Sequence, residues 1–151
     1  MPTAIIADDE DLQRADLQQQ LAVAWPELKI VAACEEGDAA LAAIAALRPD
    51  VAFLDIRMPG MSGLDVARAG GGACQVVFTT AYDSHAIDAF DLGAVDYLVK
   101  PVQTARLAQT VMRLRDRSAA SSAELARTMA HTLAALDQRL RPPAQERRAT
   151  P

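Results

Sequence analysis

Short apolar runs alternate with longer amphipathic stretches along the first 117 residues of this chain. Five runs of four to six residues are rich in Val, Ile, Leu and Phe, with little polar alternation. This pattern is typical of strands that are buried on both faces of a parallel sheet. The predicted strands are Ala4–Ala7, Lys29–Ala33, Val51–Leu54, Gln75–Thr79 and Ala94–Val99.

The stretches that follow these runs carry apolar residues at helical spacing. In the first of them, Leu12, Leu17, Leu21 and Ala22 are expected on one side of a helix. In the third, Ser62 is suited to cap the start of the helix. A strand followed by a helix, repeated five times, predicts a doubly wound α/β domain with helices on both faces of the sheet. The predicted helices are Asp11–Trp25, Gly37–Leu47, Ser62–Ala69, Ser84–Leu92 and Thr104–Arg117.

The end of the chain has a different pattern. Residues 1–117 are expected to form one domain, and residues 118–141 a linker helix whose apolar residues form a single stripe. That helix either contributes to a dimer or covers an apolar patch, and the sequence does not favour one over the other. Residues 142–151 are polar and proline-containing, which predicts a disordered tail. The stripe consists of Leu125, Met129, Leu133, Leu136 and Leu140.

Charge and composition narrow the classes of function. Residues 1–102 hold 16 acidic and 6 basic residues, and this negative charge does not favour nucleic-acid binding. Residues 103–151 hold 4 acidic and 9 basic residues. No apolar run is long enough to span a membrane, and the N-terminus does not resemble a signal peptide. Cys34 and Cys74 show neither metal-ligand spacing nor a disulfide framework. We therefore expect a cytoplasmic protein with no membrane partner.

Polar residues follow four of the five predicted strands. Asp8 and Asp9 come after the first, Asp55 after the third, Thr80 after the fourth and Lys100 after the fifth. Sites in open parallel sheets form beyond the carboxyl ends of the strands. If these strands are neighbours, their terminal side chains converge on one site.

The residue types at these positions predict phosphoryl chemistry. Two carboxylates about 4 Å apart repel by about 4 kcal/mol at an effective dielectric of 20, so a cation is needed, and carboxylate oxygens favour Mg²⁺. Lys100 is one of only two lysines and provides a compact positive charge. Pro101 suits a cis peptide that would turn this lysine inward. With the Thr80 hydroxyl, these groups are suited to phosphoryl transfer onto a carboxylate.

Four motifs resemble the receiver domain of two-component response regulators: "IIADDE", "VAFLDIRMPGMSGLD", "VVFTTAYD" and "GAVDYLVKPV". The resemblance covers about residues 1–117. It implies a (βα)5 flavodoxin-like fold with strand order 2-1-3-4-5, and Asp55 as the acceptor of a phosphoryl group from a histidine kinase. That order separates the strands next to Cys34 and Cys74, which argues against a disulfide between them.

The resemblance also implies roles for the residues at the strand ends. Asp8 and Asp9 match the acids of the Mg²⁺ site, whose other ligands would be Asp55 and the backbone carbonyl of Arg57. Lys100 matches the lysine that contacts the phosphoryl group. Glu10 is not expected at the metal and instead begins the first helix, where a carboxylate interacts favourably with the helix dipole.

Further residues match switching and lifetime positions of the family. Thr80 matches the switch hydroxyl and Tyr97 the switch aromatic. Arg57 and Tyr82 lie two residues after Asp55 and Thr80, and their bulk predicts slow loss of the phosphoryl group to water. Switching would alter a homodimer surface formed by the predicted elements Ser84–Leu92, Ala94–Val99 and Thr104–Arg117, with residues 121–141 as a further candidate.

The stretch "TTAYDSHAIDAFDLGAVDYLVKPV" is similar to receivers that precede a LytTR DNA-binding domain. No second core follows residue 141, so we expect a truncated transcriptional regulator whose DNA contact would come only from the missing output domain. A stand-alone receiver, acting as a phosphate sink or interaction module, is the alternative. A Mg²⁺-dependent aspartyl phosphohydrolase is a more remote one, because its nucleophile would end the first strand. We expect a phosphoacceptor that assists its own phosphorylation and slow dephosphorylation, not an enzyme with a separate substrate.

Overall fold

The strands form one parallel sheet with helices on both faces. The computed structural model describes residues 1–70, 72–81 and 92–119. The strand order is β2-β1-β3-β4-β5, which confirms the predicted fold class and strand order. The elements are β1 Thr3–Ala7, α1 Asp11–Ala24, β2 Lys29–Cys34, α2 Gly37–Leu47, β3 Val51–Asp55, α3 Gly63–Gly70, β4 Gln75–Thr80, β5 Asp96–Val99 and α4 Thr104–Ala119.

The register of the sheet brings the carboxyl ends of β1, β3, β4 and β5 to one edge. Ala7 of β1 pairs with Leu54 of β3, one residue before Asp55. Asp55 itself pairs with Thr79, and Thr80 pairs with Val99 of β5. The polar residues that follow these strands therefore start from neighbouring positions.

Two apolar layers cover the sheet. Successive side chains on a strand point to opposite faces. Phe53 accordingly packs in the layer beneath α1 and α4, and its neighbour Leu54 in the layer beneath α2 and α3. In β4, Val77 and Phe78 divide in the same way. All four side chains are completely buried, so both faces of the central strands are part of the core.

The buried side of α1 is narrower than the sequence predicts. Leu17 and Leu21 are buried, as expected, but Leu12 is 86% exposed and Ala22 is also exposed. At 3.6 residues per turn, five positions correspond to about 140° around the helix axis, so Leu12 cannot share the face of Leu17. The prediction that all four residues lie on one side of the helix was wrong.

Where ends of the described elements differ from the predicted ones, they do so by one or two residues. At α3, the Ser62 hydroxyl accepts a hydrogen bond from Asp65 N (3.1 Å), and the Asp65 carboxylate accepts one from Ser62 N (3.4 Å). This reciprocal pair is a capping box, which confirms Ser62 as the cap. The last helix continues to Ala119, two residues past the predicted domain boundary at Arg117.

Three predictions lie outside the described residues: most of the helix Ser84–Leu92, the helix over 121–141 and the tail over 142–151. In the part of the chain that the structure describes, no helix is both long and apolar enough to cross a bilayer. Cys34 and Cys74 are free thiols.

Candidate functional site

Three carboxylates meet at the carboxyl edge of the sheet. One oxygen each of Asp8, Asp9 and Asp55 lies within 4.8 Å of the others. Asp8 and Asp55 are buried, with 3% and 4% of their surface exposed, whereas Asp9 is exposed. The structure therefore brings together the three acids that the sequence singles out, and one of them faces solvent.

Lys100 connects the two buried acids. Its Nζ atom lies 2.8 Å from Asp8 Oδ2 and 2.9 Å from Asp55 Oδ2. The backbone N–H of Lys100 donates to the carbonyl of Thr80 (2.7 Å), which fixes the start of this loop against β4. The Lys100–Pro101 peptide bond is cis. One buried ammonium thus compensates part of the negative charge of the cluster.

The cluster perturbs the acid–base properties of its members. Burial raises the pKa of the Asp55 carboxyl to about 6, although its hydrogen bond and charge interaction with Lys100 act in the opposite direction. Burial by itself would lower the pKa of Lys100, but its contacts with Asp8 and Asp55 raise that pKa above the ordinary value. Lys100 therefore carries its proton at neutral pH, and the ionised form of Asp55 is favoured only above about pH 6.

Backbone groups orient the two buried carboxylates. Asp55 Oδ1 accepts a hydrogen bond from Arg57 N (3.2 Å), and Asp8 Oδ1 accepts one from Glu10 N (2.9 Å). Glu10 directly precedes α1, as predicted, but its side chain makes no capping hydrogen bond. Behind Asp55, the chain passes so close to Gly63 that a Cβ atom there would lie 2.3 Å from the Asp55 carbonyl oxygen. Only glycine fits at this position without a shift of the backbone.

The donor set fits a hard divalent cation. Carboxylate oxygens are the ligands that Mg²⁺ prefers, and Mg²⁺ usually keeps several waters. The exposed Asp9 and the Arg57 loop line a cleft of about 490 Å³, which leaves space for such waters. On the other side, Asp8, Leu12 and Lys100 line a smaller cleft of about 180 Å³. Asp9 is therefore reached from the larger cleft and Asp8 from the smaller one.

The two predicted switch residues lie on neighbouring strands. Thr80 ends β4 and is buried. Tyr97 is half-buried in β5, where it pairs with Phe78 and packs in the apolar layer beneath α2 and α3. Tyr82, the second predicted lifetime residue, lies outside the described residues.

Sequence reasoning missed a buried ion network at Asp96. This carboxylate is 1% exposed and accepts two hydrogen bonds from Arg106 (2.6 and 2.8 Å), one from the Thr110 hydroxyl (2.8 Å) and one from Tyr97 N (2.9 Å). Arg113 lies 2.9 Å away. Although burial raises the pKa of Asp96, these donors lower it below the ordinary value. An acidic residue inside the predicted apolar strand Ala94–Val99 is the signal that could have revealed it.

The sequence pattern also did not single out Arg14 as a residue near the carboxylates. Arg14 follows Asp11 by three positions, a spacing that usually indicates only an ion pair on a helix surface. In the structure its guanidinium also reaches the backbone of Asp8. That contact joins residues on two elements, and spacing along one helix does not predict it.

The sequence of this chain matches a known protein family and several curated proteins. Residues 4–112 match the response regulator receiver domain. A response regulatory protein of Vibrio cholerae, itself uncharacterized, is 48% identical over 133 residues, which cover 84% of this chain and 51% of the relative. The transcriptional regulatory protein BtsR of Escherichia coli is 42% identical over 117 residues, covering 76% of this chain and 48% of that protein. The chain thus spans about half the length of these curated relatives.

Solved receiver structures share the fold. The response regulatory domain of mrkE from Klebsiella pneumoniae matches with a TM-score of 0.71 and 30% identity, over 76% of this chain and 96% of that one. The receiver domain of AraT from Geobacillus stearothermophilus matches with a TM-score of 0.70 and 32% identity, over 76% and 93%.

Proposed function

The chain belongs to the response regulator receiver family, and from that premise we propose that Asp55 accepts a phosphoryl group from the phosphohistidine of a histidine kinase. The observation that carries the proposal is the position of Asp55. It is a buried carboxylate at the end of β3, with Lys100 Nζ 2.9 Å from Oδ2 and two further acids within 4.8 Å. A nucleophile, a cation and a metal-binding donor set are thus present in one place.

The chemistry is a displacement at phosphorus. A carboxylate oxygen of Asp55 attacks, a phosphorus–oxygen bond forms, and the phosphorus–nitrogen bond to the histidine breaks; the released imidazole takes up a proton. The ionised form of Asp55, favoured above its pKa of about 6, attacks without a general base. Lys100 then provides positive charge to an oxygen of the new phosphoryl group.

Asp8, Asp9, Asp55 and the backbone carbonyl of Arg57 are the groups that would hold Mg²⁺. When bound, Mg²⁺ neutralises charge on the transferring phosphoryl oxygens. The support for this assignment is the all-oxygen donor set and the open cleft beside Asp9. We assign the Arg57 side chain, which lines the same cleft, the role of hindering attack by water on the phosphorylated Asp55. Tyr82 is predicted to act in the same way.

We further propose that phosphorylation switches the conformation through Thr80 and Tyr97. Thr80 ends the strand next to β3 and Tyr97 lies on the strand beyond it, so a displacement of the Thr80 hydroxyl toward the phosphoryl group would change the space beside Tyr97. The surface that would respond includes β5 and α4, and a homodimer through this surface, with residues 121–141 as a further candidate, is the expected readout.

For the whole protein we propose control of transcription by a DNA-binding output domain of the LytTR type. The support is the similarity to relatives named transcriptional regulatory proteins, which are about twice the matched length. The alternative is a stand-alone receiver that acts as a phosphate sink or interaction module. Reading the genomic frame beyond Pro151 distinguishes the two proposals.

Incubation with acetyl phosphate and Mg²⁺, followed by intact-mass measurement, tests the assignment of Asp55. The wild type should gain the mass of one phosphoryl group, and Asp55→Asn should not. Asp116→Asn, which alters an exposed aspartate on α4, is the matched control and should be labelled like the wild type. Equal labelling of Asp55→Asn and the wild type would refute the proposal.

A further inference from the structure

Arg14 makes a three-way contact at the edge of the candidate metal site. From the first turns of α1, its Nη1 donates to the Asp8 carbonyl (2.7 Å) and its Nη2 to Asp11 Oδ1 (2.7 Å). The same Nη2 lies 3.7 Å from Glu35 Oε1, in the loop after β2. Only 16% of the Arg14 side chain is exposed. The guanidinium therefore joins the end of β1 to a helix and to a second loop.

With the contact from Arg14, the backbone N–H, the carbonyl and the carboxylate of Asp8 all have hydrogen-bond or ion-pair partners. The backbone N–H of Asp8 donates to the Cys34 carbonyl of β2 (3.0 Å), and its carbonyl accepts from Arg14. Its carboxylate is held by Glu10 N and by Lys100. The planar guanidinium offers several donors in a fixed geometry, so it can hold a carbonyl and a carboxylate at the same time. A single ammonium would not reproduce this arrangement.

We propose that Arg14 is a positioning residue for the metal site, which fixes the backbone at Asp8 and thereby the Asp8 and Asp9 carboxylates in the geometry that binds Mg²⁺. The inference rests on the proposed function, because it concerns the same Asp8–Asp9–Asp55 cluster. Arg14 acts through Asp8 and is not itself a metal ligand, since a guanidinium has no acceptor atom.

Electrostatics and positioning make opposite predictions for Mg²⁺ binding. Arg14 is a cation near a cation site, so its charge by itself opposes the binding of Mg²⁺. Removing it would also release the Asp11 and Glu35 carboxylates, which adds attraction for the metal. If Arg14 were only a counter-charge, Arg14→Gln would bind Mg²⁺ more tightly. If it positions Asp8, the same variant binds Mg²⁺ more weakly.

The chain offers a matched control. Arg68 pairs with Asp65 at the same spacing of three residues on α3, with Nη1 3.0 Å from Asp65 Oδ1. This pair is more than half exposed on both sides. Arg68→Gln therefore removes a helical ion pair of the same kind as Arg14–Asp11, without the contact to the backbone of Asp8.

The experiment is a calorimetric Mg²⁺ titration of the full chain and of Arg14→Gln, Arg14→Lys and Arg68→Gln. Residues that orient metal ligands typically contribute 10- to 100-fold to metal affinity. We expect Arg14→Gln to bind Mg²⁺ about 10-fold more weakly and Arg14→Lys to be weakened similarly, because it lacks the planar fork. Arg68→Gln should bind Mg²⁺ at least as tightly as the wild type, because it releases Asp65, which lines the cleft beside Asp9. Mg²⁺ should also raise the melting temperature less in Arg14→Gln and Arg14→Lys than in the wild type and Arg68→Gln.

Mg²⁺ affinity of Arg14→Gln equal to or above that of the wild type overturns the inference. If Arg14→Gln does not fold in EDTA, Arg14→Lys decides the question, because it keeps the charge and most of the side chain: weaker Mg²⁺ binding supports the positioning role and unchanged binding refutes it. Failure of the proposed function is distinguishable, since the wild type itself would then bind no Mg²⁺ and accept no phosphoryl group.

Discussion

Lys100 Nζ lies 2.9 Å from Asp55 Oδ2, although 45 residues separate the two along the chain. The same ammonium is 2.8 Å from Asp8. Through this lysine the loop after β5 contacts the end of β3 and the segment after β1. The contacts of Lys100 with Asp55 and Asp8 should affect both phosphorylation of Asp55 and binding of Mg²⁺, and the two effects can be measured separately.

Replacing Lys100 should separate phosphorylation from metal binding. In Lys100→Gln, loss of one preorganised donor to the phosphoryl oxygens should slow phosphorylation by acetyl phosphate about 100-fold. Its Mg²⁺ affinity should stay the same or increase, because a cation in direct contact with Asp8 and Asp55 has been removed, while Glu10 N and Arg14 still orient Asp8. Phosphorylation rates by mass spectrometry and calorimetric Mg²⁺ titration test both halves. Weaker Mg²⁺ binding with unchanged phosphorylation would contradict this assignment of Lys100.

A side chain at Gly63 should disturb the loop that carries Asp55. The new Cβ of Gly63→Ala would lie 2.3 Å from the Asp55 carbonyl oxygen and 3.1 Å from the Ile56 Cα atom, so the backbone must shift. We expect a loss of about 1–3 kcal/mol in the free energy of unfolding, as for overpacked cores. The expected change appears in urea unfolding curves and is accompanied by slower phosphorylation.

The control for this substitution is Gly70→Ala at the other end of α3. A Cβ atom there meets no atom within 4 Å. Because alanine has the higher helix propensity, this variant should be neutral or up to about 1 kcal/mol more stable. Equal destabilisation by both substitutions would show that close contact with Asp55 is not the cause.

Acid should selectively remove the stabilisation that Asp96 provides. The pKa of Asp96 is lower in the folded protein than in the unfolded chain, where the pKa of an aspartate is about 3.9. The contribution to stability is therefore fully present above about pH 4 and is lost as the pH falls through the lower folded-state value. Asp96→Asn should cost about 2 kcal/mol at pH 7, a moderate value because Arg106 and Arg113 are 35% and 54% exposed and can be rehydrated.

The measurement is the free energy of unfolding of the wild type and Asp96→Asn between pH 7 and pH 2.5. The difference between the two proteins should decrease below about pH 4. Glu27→Gln, which alters an exposed ion pair with Arg115, is the comparison and should show a smaller difference throughout. A difference for Asp96→Asn that is independent of pH would exclude its ionisation as the source.

Shortening Arg57 should shorten the lifetime of the phosphoryl group. Arg57 is exposed and lines the cleft that also contains Asp9. In Arg57→Asn the smaller side chain leaves more space for water, so the acyl phosphate should decay severalfold faster after removal of the phosphodonor. The decay is followed by intact mass, with Arg68→Asn as the control. Decay of the wild type within seconds, unchanged by Arg57→Asn, would refute a protective role for Arg57.

Much of the site could be predicted because it follows from strand ends. A buried apolar run and the polar residue after it are adjacent in sequence, and parallel strands present their carboxyl ends at one edge. Asp8, Asp55 and Lys100 are therefore identifiable from the sequence, and their convergence is confirmed. The roles assigned to Thr80 and Tyr97 remain predictions.

Other features depend on contacts between elements that are distant in sequence. Helical periodicity separates Leu12 from Leu17, and the rotation of α1 against the sheet decides which of them is buried: Leu17 is, whereas Leu12 is 86% exposed. The Asp96 network requires a helix that starts eight residues later to pack with Arg106 and Arg113 over β5. Local spacing carries no information about such packing.

By itself the sequence determined the alternation of strands and helices, the parallel sheet and the chemistry at the strand ends, because these follow from periodicity and from residues that are neighbours along the chain. Tertiary structure alone decided that one ammonium bridges Asp8 and Asp55, that Arg14 donates to the backbone carbonyl of Asp8, and that Asp96 is paired with arginines of α4. Each of these contacts depends on distances between packed elements, which are set by strand register and by the fit of side chains between helix and sheet.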